Sequence, residues 1–296
     1  MQQQMEYWLG KASEGETCLA ERFAEIDQIA LSNQKKVLES FWREQVADFH
    51  LHGSTGYGYG DEGRDTLDRV YARVFNAPRA LVRAQFVSGT HAIGAAIYGA
   101  VAPGDEILSI TGRPYDTLEQ LLGIKGSAPG NLRSLGVSYR QVELTRAGEI
   151  DLHAVKTAIH QRTKLVMIQR SRGYSWRPSQ TIDQIGQAIQ VIREVRPDLL
   201  VFVDNCYGEL AEMREPTDVG ADLVAGSLIK NLGGGLAPSG GYIVGRDDLV
   251  EAAASRLTMP GLGSHMGASL GDSQRLMFQG LFLAPHVVGQ AIKGMH

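Results

Sequence analysis

The chain has few of the features that would place it outside the ordinary globular class. It has two cysteines in 296 residues, Cys18 and Cys206, with no C-x-x-C spacing, which argues against a disulfide framework or a cysteine-based zinc site. Two reduced thiols fit a cytoplasmic protein, the compartment expected here. Charge of one sign is also scarce: the net charge is -4, so neither nucleic acid nor an acidic membrane is expected as a partner. No apolar run reaches the roughly 18 residues of a membrane span, and the N-terminus lacks the basic and apolar blocks of a leader. What is abundant is glycine, 35 residues, clustered at 53–63, 123–136 and 226–245 without a fixed period. Such clusters mark tight loops, the kind that lines a ligand site.

Periodicity then orders the elements. Apolar residues at helical spacing from Glu14 to Phe49 predict two helices broken near Ser32-Asn33, and Asp65 to Phe75 has the same period. From Ala80 the chain alternates. Strands are expected at 80–87, 106–110, 137–144, 164–169, up to Asp204, at 222–225 and at 242–244. Helices are expected between most of them, at 92–101, 117–122, 152–160 and 182–195, the last opened by a capping box at Thr181-Ile-Asp-Gln184. This pattern predicts an α/β fold with a mostly parallel sheet covered on both faces, whose ligands bind beyond the carboxyl ends of the strands. The tail from Ala252 to His296 reads as helical, divided by glycines and Pro260.

Chemistry concentrates at those strand ends. Leu199-Leu-Val-Phe-Val203 is apolar throughout, so Asp204 places a carboxylate where it must be paired to be tolerated. Lys230, after another apolar stretch and before Gly233-Gly-Gly235, can project into a cleft with the backbone crowding relieved. A Schiff-base lysine and an anion for a pyridine nitrogen are two of the four things that pyridoxal phosphate asks of a protein. Ser88, Gly89 and Thr90 lie at a strand-to-helix turn, where free N–H groups and the helix dipole favour a phosphate, and Ser227 can add a donor. Tyr115, in the proline-bearing loop Gly112-Arg-Pro-Tyr115, can stack on the cofactor ring. Arg170 and Arg172, just past a strand end, are candidates to hold an anion. Gly58-Tyr-Gly60-Asp-Glu-Gly63 matches a dinucleotide fingerprint, but no strand precedes it, and that site is rejected. His50 and His52, two apart, do not make a metal pair, and no metal site is expected.

Several stretches together carry a family resemblance: Ser54-Thr-Gly-Tyr-Gly-Tyr-Gly-Asp-Glu-Gly-Arg-Asp-Thr-Leu67, Phe86-Val-Ser-Gly-Thr-His91, Gln169-Arg-Ser-Arg-Gly-Tyr-Ser-Trp-Arg-Pro178, Val203-Asp-Asn-Cys-Tyr-Gly-Glu209 and Ser227-Leu-Ile-Lys-Asn-Leu-Gly-Gly-Gly235. With them the chain resembles the fold type I pyridoxal-phosphate enzymes of cysteine and methionine metabolism, and most of all the methionine gamma-lyase-like or cystathionine beta-lyase family linked to aluminium resistance. The resemblance implies the aspartate aminotransferase-like large domain. It also implies carbon–sulfur bond cleavage by β- or γ-elimination on a sulfur amino acid such as cystathionine, cysteine or methionine. A homodimer or tetramer with a shared site is implied too, in which Tyr57 or Tyr59 and Arg64 reach the cofactor phosphate of the neighbouring copy.

On that basis residues 1–52 form an N-terminal helical arm, 53–250 the cofactor-binding large domain, and 251–296 the helical start of an incomplete C-terminal segment. The chain ends 66 residues after Lys230, before the small domain in which the family keeps its substrate-carboxylate arginine. Transamination or aldol cleavage at the same cofactor, and cofactor binding without turnover, stand as alternatives.

Overall fold

The computed structural model describes residues 1–296, the side chains of residues 3, 12, 14, 16 and 17 excepted. Two helices, α1 (Gln2–Cys18) and α2 (Ala20–Arg43), open the chain, followed by α3 (Glu62–Val74). The alternating part comprises β1 (Arg79–Arg83), α4 (Gly89–Ala100), β2 (Glu106–Ser109), α5 (Asp116–Leu122), β3 (Ser138–Gln141), α6 (Leu152–Ala158), β4 (Thr163–Gln169), α7 (Ile182–Val195), β5 (Leu200–Asp204), β6 (Leu223–Ser227) and β7 (Gly241–Gly245). Two helices close it, α8 (Asp247–Leu257) and α9 (Ser273–Met295). No helix among the described residues is long and apolar enough to cross a membrane.

Local signals fix most boundaries. Asp61 caps α3 by accepting from the Arg64 N–H at 2.9 Å, and the Thr181–Gln184 capping box opens α7 as its spacing predicts. The break expected at Ser32-Asn33 is absent: α2 runs through both residues, and the chain bends at Leu19 instead. Asn33 stays helical because its polarity is met from outside the helix. Its buried amide donates to the Leu210 and Glu212 carbonyls at 2.9 and 3.0 Å, so the residue that looked like a breaker is a tertiary clamp.

The seven strands run in the order β1-β7-β6-β5-β4-β2-β3, and β7 alone is antiparallel to its neighbours. Alternation along each central strand feeds two cores. Val201 and Val203 of β5 join Val166 and Ile168 of β4 on one face, while Leu200 and Phe202 join Leu165 and Met167 on the other. Register then sets the functional edge. Gln169 pairs with Asp204 and Asp204 with Ala225, while Ser227 and Arg83 both pair with Gly241. The ends of β4, β5, β6 and β1 therefore open on one rim of the sheet.

The glycines after Lys230 answer to packing. A Cβ at Gly233 would lie 1.6 Å from the Leu228 carbonyl oxygen, and one at Gly280 of α9 would lie 2.3 Å from the Gly233 oxygen. Backbone meets backbone there, which seats α9 against the Lys230 loop. Behind the rim lies a buried polar layer. Arg170 donates to Asn205 Oδ1 and the Gly208 carbonyl at 2.8 and 2.7 Å, Asn205 donates to Glu215 at 3.0 Å, and the Tyr242 hydroxyl donates to Glu209 Oε1 at 3.0 Å. Glu209 Oε2 has no partner, and burial pushes this carboxyl up to about 8, with the charge of Glu215 adding to the effect.

Two outcomes follow from this packing. Gly280→Ala should cost about 1–3 kcal/mol or more in denaturant unfolding, because the contact it crowds is with backbone, which cannot rotate away. The second concerns pH. Between the ordinary glutamate value of 4.5 and about 8, folded Glu209 keeps a proton that the unfolded chain has released. Its contribution to stability therefore falls as pH rises through that window. Glu209→Gln should flatten the decline, as read from melting temperature against pH.

Candidate functional site

Asp204 is the last residue of β5 and is 1% exposed. Its Oδ1 accepts from the Cys206 N–H at 3.1 Å, and its Oδ2 has no hydrogen-bond partner. Burial pushes the carboxyl above its usual range, and the hydrogen bond from Cys206 together with the charge of Lys230 only partly offsets this. A buried carboxylate with one free oxygen calls for a cationic N–H donor.

The neighbouring turn supplies a different surface. Ser88 caps α4, its hydroxyl accepting from the His91 N–H at 3.1 Å and its carbonyl from the His91 and Ala92 N–H groups, which leaves the N–H groups of Gly89 and Thr90 as the helix-start donors without intrahelical partners. Gly89 backs onto β6: a Cβ there would stand 2.9 Å from Ser227 Cβ and 3.4 Å from Cys206 Sγ, so only glycine lets the turn close down on the strand end. Thr90 Oγ1 lies 3.5 Å from the Tyr115 hydroxyl and 3.4 Å from Thr117 Oγ1. Tyr115 is half-buried at the start of α5. Burial pushes its hydroxyl well above the usual tyrosine value, and the charge of Asp204 adds to the effect. Ser227 is fully buried, its Oγ accepting from the Ile229 N–H at 3.3 Å and keeping its own proton to donate.

Lys230 completes the cluster. Its Nζ lies 4.1 Å from the centre of the Tyr207 ring. Burial acts to lower the ammonium, and Cys206, Tyr207 and Asp204 together carry it above its usual value. Tyr207 itself has a φ of +68°, the left-handed region that costs a non-glycine residue about 1 kcal/mol or more, and Leu210 shares the strain at +59°. The turn between them is held from several sides: by Arg170 and Asn33 as above, by the Leu210 N–H donating to Glu215 Oε1 at 2.8 Å, and by Asn231 Nδ2 donating to the Glu209 carbonyl at 2.8 Å.

Asp204, Ser88, Gly89, Thr90, Tyr115, Ser227 and Lys230 thus share one end of the sheet. The residues expected to serve a neighbouring copy divide. Tyr57 and Tyr59 are exposed, their rings 5.8 Å apart, on a loop tied down by Ser54 bonding to Asp61. Arg64 is buried, with its guanidinium bonded to Asp65 and to the Gly58 and Gly267 carbonyls, so its donors serve its own chain. Arg170 is likewise spent within the fold, on Asn205, Gly208 and Glu212, and Arg172 sits 5.0 Å over the exposed Trp176 ring. Sequence reasoning missed Tyr207 and the polar layer. The only sign of either was a tyrosine followed by glycine just after Asp204, since long-range bonds from Arg170 and Asn33 leave no trace in spacing.

The residues fit pyridoxal phosphate on the structure's own terms: a buried free carboxylate oxygen, a glycine closed onto a serine beneath a helix start, an aromatic ring beside them, and a lysine in reach of the carboxylate's charge. Comparison with known proteins agrees. The methionine gamma-lyase family model matches residues 10–296. An uncharacterised Bacillus subtilis protein, YnbB, is 51% identical over 96% of this chain and 67% of its own length. A Listeria monocytogenes structure described as a candidate cystathionine beta-lyase involved in aluminium resistance superposes with a TM-score of 0.94 at 52% identity, covering 95% of this chain and 69% of that one. A Clostridium novyi structure described as a carbon–sulfur lyase involved in aluminium resistance gives 0.93 at 46%, covering 97% and 68%. The chain spans about two thirds of the length of these relatives. By its sequence, its sheet and the residues on its rim, the chain belongs to the methionine gamma-lyase family of pyridoxal-phosphate-dependent carbon–sulfur lyases.

Proposed function

We propose that this chain carries the cofactor half of a carbon–sulfur lyase that eliminates a thiol from a sulfur amino acid such as cystathionine, cysteine or methionine. The observation that carries the reading is the free, buried Oδ2 of Asp204 on the same rim as Lys230. Pyridoxal phosphate, when bound, supplies an electron sink for the carbon that loses its proton. Asp204 would pair with a protonated ring nitrogen, a partner that would satisfy its orphan oxygen. The Tyr115 ring would cover one face. Ser88, Gly89, Thr90 and Ser227 would hold the phosphate with hydroxyl and helix-start N–H donors.

Lys230 would hold the cofactor covalently and then, as a free amine, take the α-proton at Nζ. Tyr57 and Tyr59, exposed on a fastened loop, are proposed to reach the phosphate of a second copy, which makes a dimer the working unit, and two free thiols suit the cytoplasm as its place. Arg64 would then act at one remove, bracing that loop from within. The large domain is taken as residues 53–250, flanked by the helical arm 1–52 and the segment 251–296.

Lys230→Ala should lose the near-visible absorbance of lysine-bound cofactor; a variant that keeps the wild-type spectrum would overturn the assignment. Asp204→Asn should keep the fold and lower turnover by about 10²-fold or more, because a neutral amide no longer holds the ring nitrogen protonated. The assay follows keto acid, ammonia and thiol released from a panel of cysteine, cystathionine and methionine. Amino-group transfer in place of these products would favour a transaminase.

A further inference from the structure

Lys230 faces a ring whose position is fixed at a cost. Tyr207 is 62% exposed, yet its backbone is held left-handed, a conformation that surface tyrosines do not adopt without a reason. Solvation would be equally good with the ring turned away. The neighbouring residues do not allow that freedom. Gly208 N–H donates to the Asn205 carbonyl at 2.8 Å, Arg170 grips Asn205 and Gly208 on either side of Tyr207, and a Cβ at Gly208 would stand 2.5 Å from Arg170 Cδ. Asn231, next to Lys230, donates to the Glu209 carbonyl at 2.8 Å, so the lysine loop and the tyrosine turn are bonded to each other. Both ends of the 4.1 Å contact between Nζ and ring are therefore tied to one frame.

We propose that Tyr207 is a positioning residue for Lys230, its ring forming the wall against which the lysine amine rests whenever it is not bonded to the cofactor. The role belongs to the ring and not to the hydroxyl, because the ammonium sits over the ring centre. Such a wall solves a problem specific to this chemistry. A lysine released from covalent attachment has four rotatable bonds and would wander; the ring holds its ammonium form in place, so that the amine it becomes on losing a proton starts within hydrogen-bond reach of the carbon it serves. The charged or titratable groups that act on Lys230 are Asp204, Cys206 and Glu209, besides Tyr207 itself. The inference rests on Lys230 being the cofactor lysine.

The test compares Tyr207→Gly, which removes the ring at a backbone position glycine occupies freely, with Tyr207→Phe, which keeps it. One readout needs no turnover: the pH dependence of the rate at which the cofactor-free full chain captures pyridoxal phosphate into its near-visible absorbing form, which follows the free Lys230 amine. Removing the ring should lower the midpoint by about half a pH unit, the two- to fivefold change in proton affinity typical of a ring–ammonium contact. In the loaded protein, Tyr207→Gly should lower kcat about tenfold or more with KM changed less than about twofold, and Tyr207→Phe should restore both readouts. Wild-type midpoint and kcat in Tyr207→Gly would overturn the proposal, and so would a Tyr207→Phe variant as impaired as the glycine one. Lys230→Ala run alongside separates the two levels: if it keeps the near-visible form, the lysine assignment fails; if it loses that form while Tyr207→Gly behaves as wild type, only the role of the ring fails.

Discussion

The rim of this protein is organised by one unsatisfied oxygen. Asp204 ends a strand buried on both faces, and its Oδ2 has neither a hydrogen bond nor access to water. A group of that kind is costly to keep without a partner, so a donor that arrives and binds it there stabilises the fold. Everything close by suits the same arrival. Gly89 closes the helix start onto Ser227, Tyr115 stands beside Thr90, and Lys230 approaches from the next loop. Ligand affinity and fold stability are then coupled through a single carboxylate, since whatever satisfies it stabilises the native chain alone.

Much of this was legible from the sequence, and the parts that were not share a physical cause. Asp204, Lys230, the turn at 88–90 and the alternating elements announce themselves through local patterns: an apolar run with one charge at its end, a capping serine before a helix, glycines where backbones meet. The helix break at Ser32-Asn33 was misplaced because Asn33 pays attention to Leu210 and Glu212, far along the chain, and local propensity knows nothing of them. Arg64 and Arg170 carried the same ambiguity. An arginine offers five donors, and spacing does not say whether a ligand or the protein's own carbonyls will use them. Both are taken up internally, and each holds a loop from which other side chains project.

The internal use of these arginines shows how rigidity is distributed. The turn after β5 carries two strained residues and is bonded by groups from α2, from the loop after β4, from the Lys230 segment and from Glu215. Strain of this sort persists only where surrounding contacts outnumber it. The buried polar layer beneath has the matching role. Its hydrogen bonds are directional, so they fix one arrangement of the rim where an apolar packing would accept several.

The single reversed strand has a bearing on how the chain assembles. Because β1 reaches the sheet only by pairing with β7, Arg79 waits for Gly245, and α4 with its phosphate-suited turn waits with it. The turn at Ser88 to Thr90 belongs to the first third of the polypeptide, yet it meets Ser227 only once most of the chain exists. A ribosome would release the early helices and the strand β1 long before they had a sheet to join, leaving an apolar strand edge exposed during synthesis. The cradle therefore cannot be complete before the segment from β6 to β7 has been made and paired, and a cofactor would meet a finished site only after that point.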